Sequence, residues 1–380
     1  MRFVRVISVC MALAATAGAS RPAAKDGAWI TFLSHRTGEN VLYRMHPDGS
    51  DLQAIFGGEL KDTPGLPGGM KWYRQPHWSR QSPDGAYFLS WAVDLGQPLK
   101  RYHMPPRFLL HLGRLDGGPT RLITPDSEEV FAWAPDSQRF VYMRSLLRHP
   151  ATDDHPLPPR SELVIAALDC SVQQVILDRS GIWLPHDWSP DGKRMLVSYK
   201  TSLHPQKASY ALFELDLDAA KEEMSRARSS PKPPGPKDEE GIPSGGGLRV
   251  VLPLARTIGS SIARYAPDGK SIACFGSSLE PPSADLIDPA RYPSGLELRV
   301  LDLDSGNSRV LCREPDIFGG PICWSPDGRQ VLFARFNDKN AAIKPDREPP
   351  GDIFTIWSIG RDGTNLRRLT TGWCPDWRNG

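Results

Sequence analysis

The stretch Ile322–Phe336, ICWSPDGRQVLFARF, decides how this chain is read. It divides into a short apolar run closing on Trp324, the tetrapeptide Ser325-Pro326-Asp327-Gly328, and a second apolar run ending at Phe336. Proline presets φ early in a turn, aspartate accepts a hydrogen bond from the backbone two residues on, and glycine takes positive φ without steric cost. With β-rich residues on both sides, the stretch reads as a hairpin.

The hairpin recurs. Its turn returns at Ser82-Pro83-Asp84-Gly85, Ala134-Pro135-Asp136-Ser137, Ser189-Pro190-Asp191-Gly192 and Ala266-Pro267-Asp268-Gly269. The aromatic before the turn is read as Trp78, Trp133, Trp188, Tyr265 or Trp324, with Arg80 and Gln81 as extra turn residues in one copy and Ser137 replacing the glycine in another. A period of roughly 50 to 60 residues with four strands per unit is the pattern of a β-propeller. Asp26–Phe32 matches Asp327–Phe333, so the first strands enter a repeat at its turn, while Trp373–Arg378 reads as an innermost strand stopping short of one. Together these fragments complete a blade. The expected fold is therefore all-β: a six-bladed propeller of four-stranded antiparallel blades over residues 26–378. The C-terminal strand joins the N-terminal blade and removes the open edges that invite aggregation.

Outside the repeats, three features stand out. Arg2 and Arg5 precede the apolar run Val6–Ala15 and the small residues Ala15-Thr16-Ala17-Gly18-Ala19, which reads as a signal peptide over residues 1–19, cut near Ala17 or Ala19. No other apolar run is long enough to span a bilayer, so a periplasmic or secreted protein without a transmembrane segment is expected. Residues 219–247 are rich in Pro, Gly, Ser and charge, and read as a flexible insertion in blade four. Beyond Cys10 the five cysteines are scattered, an odd number that points to buried thiols rather than a disulfide framework. A net charge of +2, evenly spread, argues against nucleic-acid binding.

The repeated Trp-Ser-Pro-Asp-Gly, together with Arg361–Thr370, resembles the TolB-type, WD40-like (PD40) repeats over Asp26 to Trp377. The resemblance implies a six-bladed propeller, with a protein-binding role in the cell envelope for some members. No α/β domain is read ahead of the first blade, so the specific role of TolB is not carried over. Other relatives, the oligogalacturonate lyases, place metal-binding histidines around the channel. Here His77 and His186, near inner-strand ends, are the channel candidates.

Candidate binding residues sit in the long loops opposite the turns, since loops on a rigid scaffold usually carry binding. These are Arg101, His103, Arg107, His149, Asp153, His155, His204 and Asp338. The spacing of His149, Asp153 and His155 matches no established metal-ligand pattern, so no metal or other cofactor is expected. Asp84, Asp136, Asp191, Asp268 and Asp327 occupy one turn position in successive blades and read as structural caps, not catalytic acids. There is no Gly-x-Ser-x-Gly elbow, His-Glu-x-x-His pair or phosphate-cradling loop. The expectation is a monomeric, non-enzymatic scaffold binding a protein or peptide on its long-loop face. The alternatives are a metal-dependent polysaccharide lyase or hydrolase, and a glycan- or ligand-binding propeller.

Overall fold

The computed structural model describes residues 27–60, 72–95, 107–124, 127–145, 160–200, 210–229, 244–255, 262–277, 296–313, 317, 320–336 and 354–378. Blade 1 contains β1 (Trp29–Ser34), β2 (Val41–Met45) and β3 (Gln53–Leu60). Blade 2 contains β4 (Trp72–Gln81), β5 (Tyr87–Leu95), β6 (Arg107–Arg114) and β7 (Arg121–Thr124). Blade 3 contains β8 (Ser127–Trp133), β9 (Arg139–Ser145), β10 (Arg160–Ala167) and β11 (Gln173–Ser180). Blade 4 is built from β12 (Ile182–Trp188), β13 (Arg194–Lys200), β14 (Tyr210–Asp216) and β15 (Leu248–Ala255), with helix α1 (Leu217–Ser229) between the last two. Blade 5 comprises β16 (Ala263–Tyr265), β17 (Ser271–Ser277), β18 (Leu296–Asp302) and β19 (Ser308–Arg313). Blade 6 comprises β20 (Cys323–Trp324), β21 (Gln330–Phe336), β22 (Phe354–Gly360) and β23 (Arg367–Thr371). The last strand, β24 (Trp373–Arg378), returns to blade 1 and pairs antiparallel with β1, Ile30 opposite Trp377. The fold is the expected six-bladed propeller, closed as expected. One feature is additional: β3 also pairs with β4, so blades 1 and 2 run together as an eight-stranded sheet.

Each blade is covered on both faces by its neighbours, which is why middle strands such as β13 and β21 are buried through their centres rather than alternating. The apolar clusters accordingly lie between blades, one at each of the six interfaces. Burying one such side chain contributes about 1.5–3 kcal/mol, whereas a turn hydrogen bond adds about 1 kcal/mol. Packing therefore holds the ring, and the turns set its register.

The turns show how that register is set. Asp191 Oδ1 accepts from the Lys193 N–H at 3.0 Å and the Ser189 hydroxyl at 2.6 Å, while the Ser189 Oγ accepts the Arg194 N–H at 2.8 Å. Asp327 and Ser325 repeat this arrangement in blade 6. Asp84, Asp136 and Asp268 likewise accept the N–H two residues on. Ser137 takes φ of 57° where its counterparts are glycines, and its Oγ accepts the Asp84 N–H of the preceding turn at 3.0 Å.

Two expectations are corrected. Arg80 and Gln81 are strand residues of β4 and not part of the turn. Gln81 lies opposite Phe88, a spacing of seven that repeats in Trp133–Phe140, Trp188–Met195, Tyr265–Ile272 and Trp324–Val331, so Gln81 holds the pre-turn aromatic position. Trp78 sits deeper on β4, where it packs against the clusters of blades 1/2, 2/3 and 5/6 and thus crosses the channel.

The insertion at 219–247 opens on a helix. Asp216 caps α1, its Oδ1 accepting the N–H groups of Asp218 and Ala219. Leu217 and Ala220 are buried, and Arg179 on β11 pairs with Glu223 at 2.9 Å. These anchors supply the apolar contact that composition alone did not reveal. Residues 230–243 of the insertion lie outside the described residues.

Candidate functional site

The innermost strands present one residue each, immediately before the pre-turn position, to the turn-side mouth of the channel. In ring order these are Asp376 on β24, Arg80 on β4, Ala132 on β8, Asp187 on β12, Arg264 on β16 and Cys323 on β20. Sixfold order places Arg80 opposite Arg264 and Asp187 opposite Asp376. A cavity of about 260 Å³ opens here, with Arg80, Arg264, Arg378, Asp187 and Cys323 at its base. Its rim carries the turn residues Pro83, Pro135, Pro190, Pro267 and Pro326 together with Trp133, Trp188, Tyr265, Trp324 and Trp377.

Both carboxylates are tied to backbone. Asp187 Oδ2 accepts the Tyr265 N–H at 2.9 Å, and Asp376 Oδ2 accepts the Gln81 N–H at 2.8 Å, the same link between neighbouring inner strands made twice around the ring. Asp187 also pairs with Arg80 at 3.2 Å, and Asp376 lies 3.4 Å from Arg378 Nε without hydrogen-bond alignment.

Arg264 differs. Only 3% exposed, it donates through Nη1 to the carbonyl oxygens of His186 and Ala263, and among the described residues no carboxylate lies within ion-pair distance. Arg80 Nη1 donates to the same His186 oxygen at 3.0 Å, so two guanidiniums converge on one carbonyl. The carbonyl is available because β12 is irregular between Pro185 and Asp187, where proline cannot donate to the ladder. Burial, and then the Arg80 charge, lower the Arg264 pKa to about 9.

The positive field also reaches His186. Burial first, then Arg264 and Arg80, bring its imidazole down to about 3, and Nε2 shares a 2.7 Å hydrogen bond with Ser198 Oγ. A neutral ring donating from Nε2 satisfies that contact. His77 is half-buried edge-on to Trp91, its pKa lowered by burial and then by His35. The two rings are therefore held apart, on blades 2 and 4. The Cys323 thiol is pushed up by burial and then by Asp376, which keeps it protonated and a poor nucleophile.

No family model matches the chain. Among curated proteins, uncharacterized protein Atu1656 of Agrobacterium fabrum is 24% identical over 274 residues, covering 56% of this chain and 86% of its own. Among solved structures, TolB from Acinetobacter baumannii superposes with a TM-score of 0.54 at 14% identity, covering 92% of this chain and 66% of the TolB chain. The chain has the TolB-like six-bladed propeller fold. An oligogalacturonate lyase in complex with manganese superposes with a TM-score of 0.47 at 11% identity, covering 90% of this chain and 74% of the lyase.

On this TolB-like fold, Arg101, His103, His149, Asp153, His155, His204 and Asp338 lie outside the described residues. Arg107 opens β6, its backbone paired opposite Asp94. Among the described residues no three His, Cys, Asp or Glu side chains come together as metal ligands. No helix there is long and apolar enough to cross a membrane. Sequence reasoning missed Arg80 by treating it as turn, and missed Arg264, Asp187 and Asp376 because each blade varies this position; Arg378 lies two residues beyond Asp376 on the same strand. Aligning the copies on their turns and reading two residues back from the turn's first residue would have found the ring.

Proposed function

We propose that this protein is an exported, non-enzymatic propeller that docks a protein or peptide partner in the cell envelope. The observation that carries this reading is the channel mouth, where prolines and aromatics rim a base holding three guanidiniums. Apolar walls with a few placed charges suit recognition of an extended segment. The groups that could do chemistry there are committed or silent: the Cys323 thiol is held protonated, the His186 ring neutral, and both aspartates bonded to backbone. The basic N-terminal stretch followed by an apolar run supports export. The long-loop face, with His155, is the second candidate surface.

A photo-crosslinking residue at Pro190, on the rim, is expected to give a discrete adduct in envelope extracts. Val172, 62% exposed on blade 3, should give none. The same probe at His155 tests the opposite face. Absence of adducts from both faces, with substrate turnover by the purified protein, would overturn the reading. The arginines also suit an acidic polysaccharide, the second reading. Stabilisation by divalent metals that chelator reverses, with cleavage of such a polymer, would favour it.

A further inference from the structure

The charges around the channel do not cancel. Arg80, Arg264 and Arg378 bring three positive charges, while Asp187 and Asp376 bring two negative ones. Arg80 and Arg378 each have an aspartate beside them; Arg264 has none among the described residues. It lines the cavity all the same, with Nε and Nη2 making no hydrogen bond there. A buried cation without a counter-charge is costly, and the cost is relieved when an anion enters.

We propose that the channel mouth is an oxyanion site that takes a single carboxylate, received by the unused N–H groups of Arg264 together with Arg80 and Arg378. The ligand class follows from charge and shape. One uncompensated positive charge matches a monoanion, and a guanidinium fork matches the planar two-oxygen face of a carboxylate. The rim of Pro135, Pro190, Trp188 and Trp324 leaves the anion's stem in apolar surroundings, so the carboxylate should end an apolar group. The cavity, about 260 Å³, holds such an end group and not a whole folded surface. A small carboxylic acid and the terminal carboxylate of a peptide share this chemistry.

The test compares 3-phenylpropionate with 3-phenylpropionamide, which differ in charge and scarcely in shape, by calorimetric titration of the full chain at fixed ionic strength. The acid is expected to bind at least about tenfold more tightly than the amide, the scale of one charge-assisted contact. Arg264→Gln should abolish that preference. Arg378→Gln, at a side chain less deeply buried than Arg264, should weaken it without threatening the fold, and so keeps the test decisive if Arg264→Gln is poorly folded. Arg367→Gln, on outer strand β23, should leave it unchanged. Equal binding of acid and amide, or a preference that survives both channel substitutions, overturns the proposal.

The peptide source rests on the partner-docking reading, and a separate arm distinguishes the two. A peptide with a free C-terminus should displace 3-phenylpropionate, and its C-terminal amide should not. If the small acid binds as described but leaves the Pro190 adduct intact, the anion site stands and the peptide C-terminus is ruled out as its ligand; if it binds as described while neither face gives an adduct, the anion site stands and the partner reading falls.

Discussion

Arg80 and Arg264 face each other across one channel and donate to one carbonyl, yet among the described residues only Arg80 has a carboxylate partner. Substitutions around them should therefore move stability in opposite directions. Asp187→Ala strands the Arg80 charge and the Tyr265 N–H together, and should cost about 3 kcal/mol in denaturant unfolding. Arg264→Met removes a buried charge that no carboxylate among the described residues pairs directly, and should raise stability by about 1 kcal/mol in the ligand-free protein. A loss from Arg264→Met as large as that from Asp187→Ala would show that Arg264 is structural. His186 sets the pH dependence. Its folded pKa of about 3 lies below the ordinary value of about 6.5, so the folded state binds fewer protons between these limits. Its contribution to stability is complete above pH 6.5 and is lost as pH falls through that window, at up to about 1.4 kcal/mol per unit. His186→Gln should flatten the stability profile between pH 6.5 and 4, measured by urea unfolding at each pH.

At the scale of the element, turns and strands were legible because their determinants are local: Pro, Asp and Gly act on the backbone beside them. The Ser189–Arg194 network, written in six consecutive residues, is the clearest case. The misplacement of Gln81 has a physical origin as well. Trp78 imitates the pre-turn aromatic, but its indole fills the channel instead, a distinction made by packing across the ring and invisible along the chain. Helix α1 was obscured in a similar way. Its cap Asp216 and its buried Leu217 precede the polar window, and Arg179, the partner of Glu223, lies on another blade. Asp216→Ala should cost about 1 kcal/mol, with helical ellipticity falling while the strand signal holds. No change on that substitution would mean that packing alone orders the helix. Ser137 offers a finer test, because glycine there relieves the positive φ but deletes the bond to Asp84. The two effects are each about 1 kcal/mol, so Ser137→Gly should be near neutral and Ser137→Val clearly destabilising.

For the whole molecule, the seam at β24 matters more than its length suggests. The sequence showed that the two ends share a blade, because turn and aromatic positions matched. It could not show that this strand also fastens blade 1 to blade 2 through the channel wall. Gln81 Nε2 donates to the Asp376 carbonyl at 2.7 Å, the Asp376 carboxylate accepts the Gln81 N–H, and the Cys374 thiol approaches the Ser79 carbonyl at 3.7 Å. The strand that closes the ring thus also sets part of the cationic site, by fixing Asp376 beside Arg378 and next to β4. A chain ending at Gly372 should lose both together. It would expose the hydrogen-bonding edge of β1, and its midpoint should fall by roughly 10 °C or more, with association on size exclusion. A synthetic peptide of residues 373–378 added in trans should bind that edge, reverse the association and recover the preference for 3-phenylpropionate over its amide. The same peptide with Asp376→Asn keeps the strand pairing but weakens the acceptor for the Gln81 N–H, and should restore closure less completely. A truncated chain that melts and elutes like the full one would mean that the ring holds through its blade interfaces alone, with β24 contributing to the site and not to the fold.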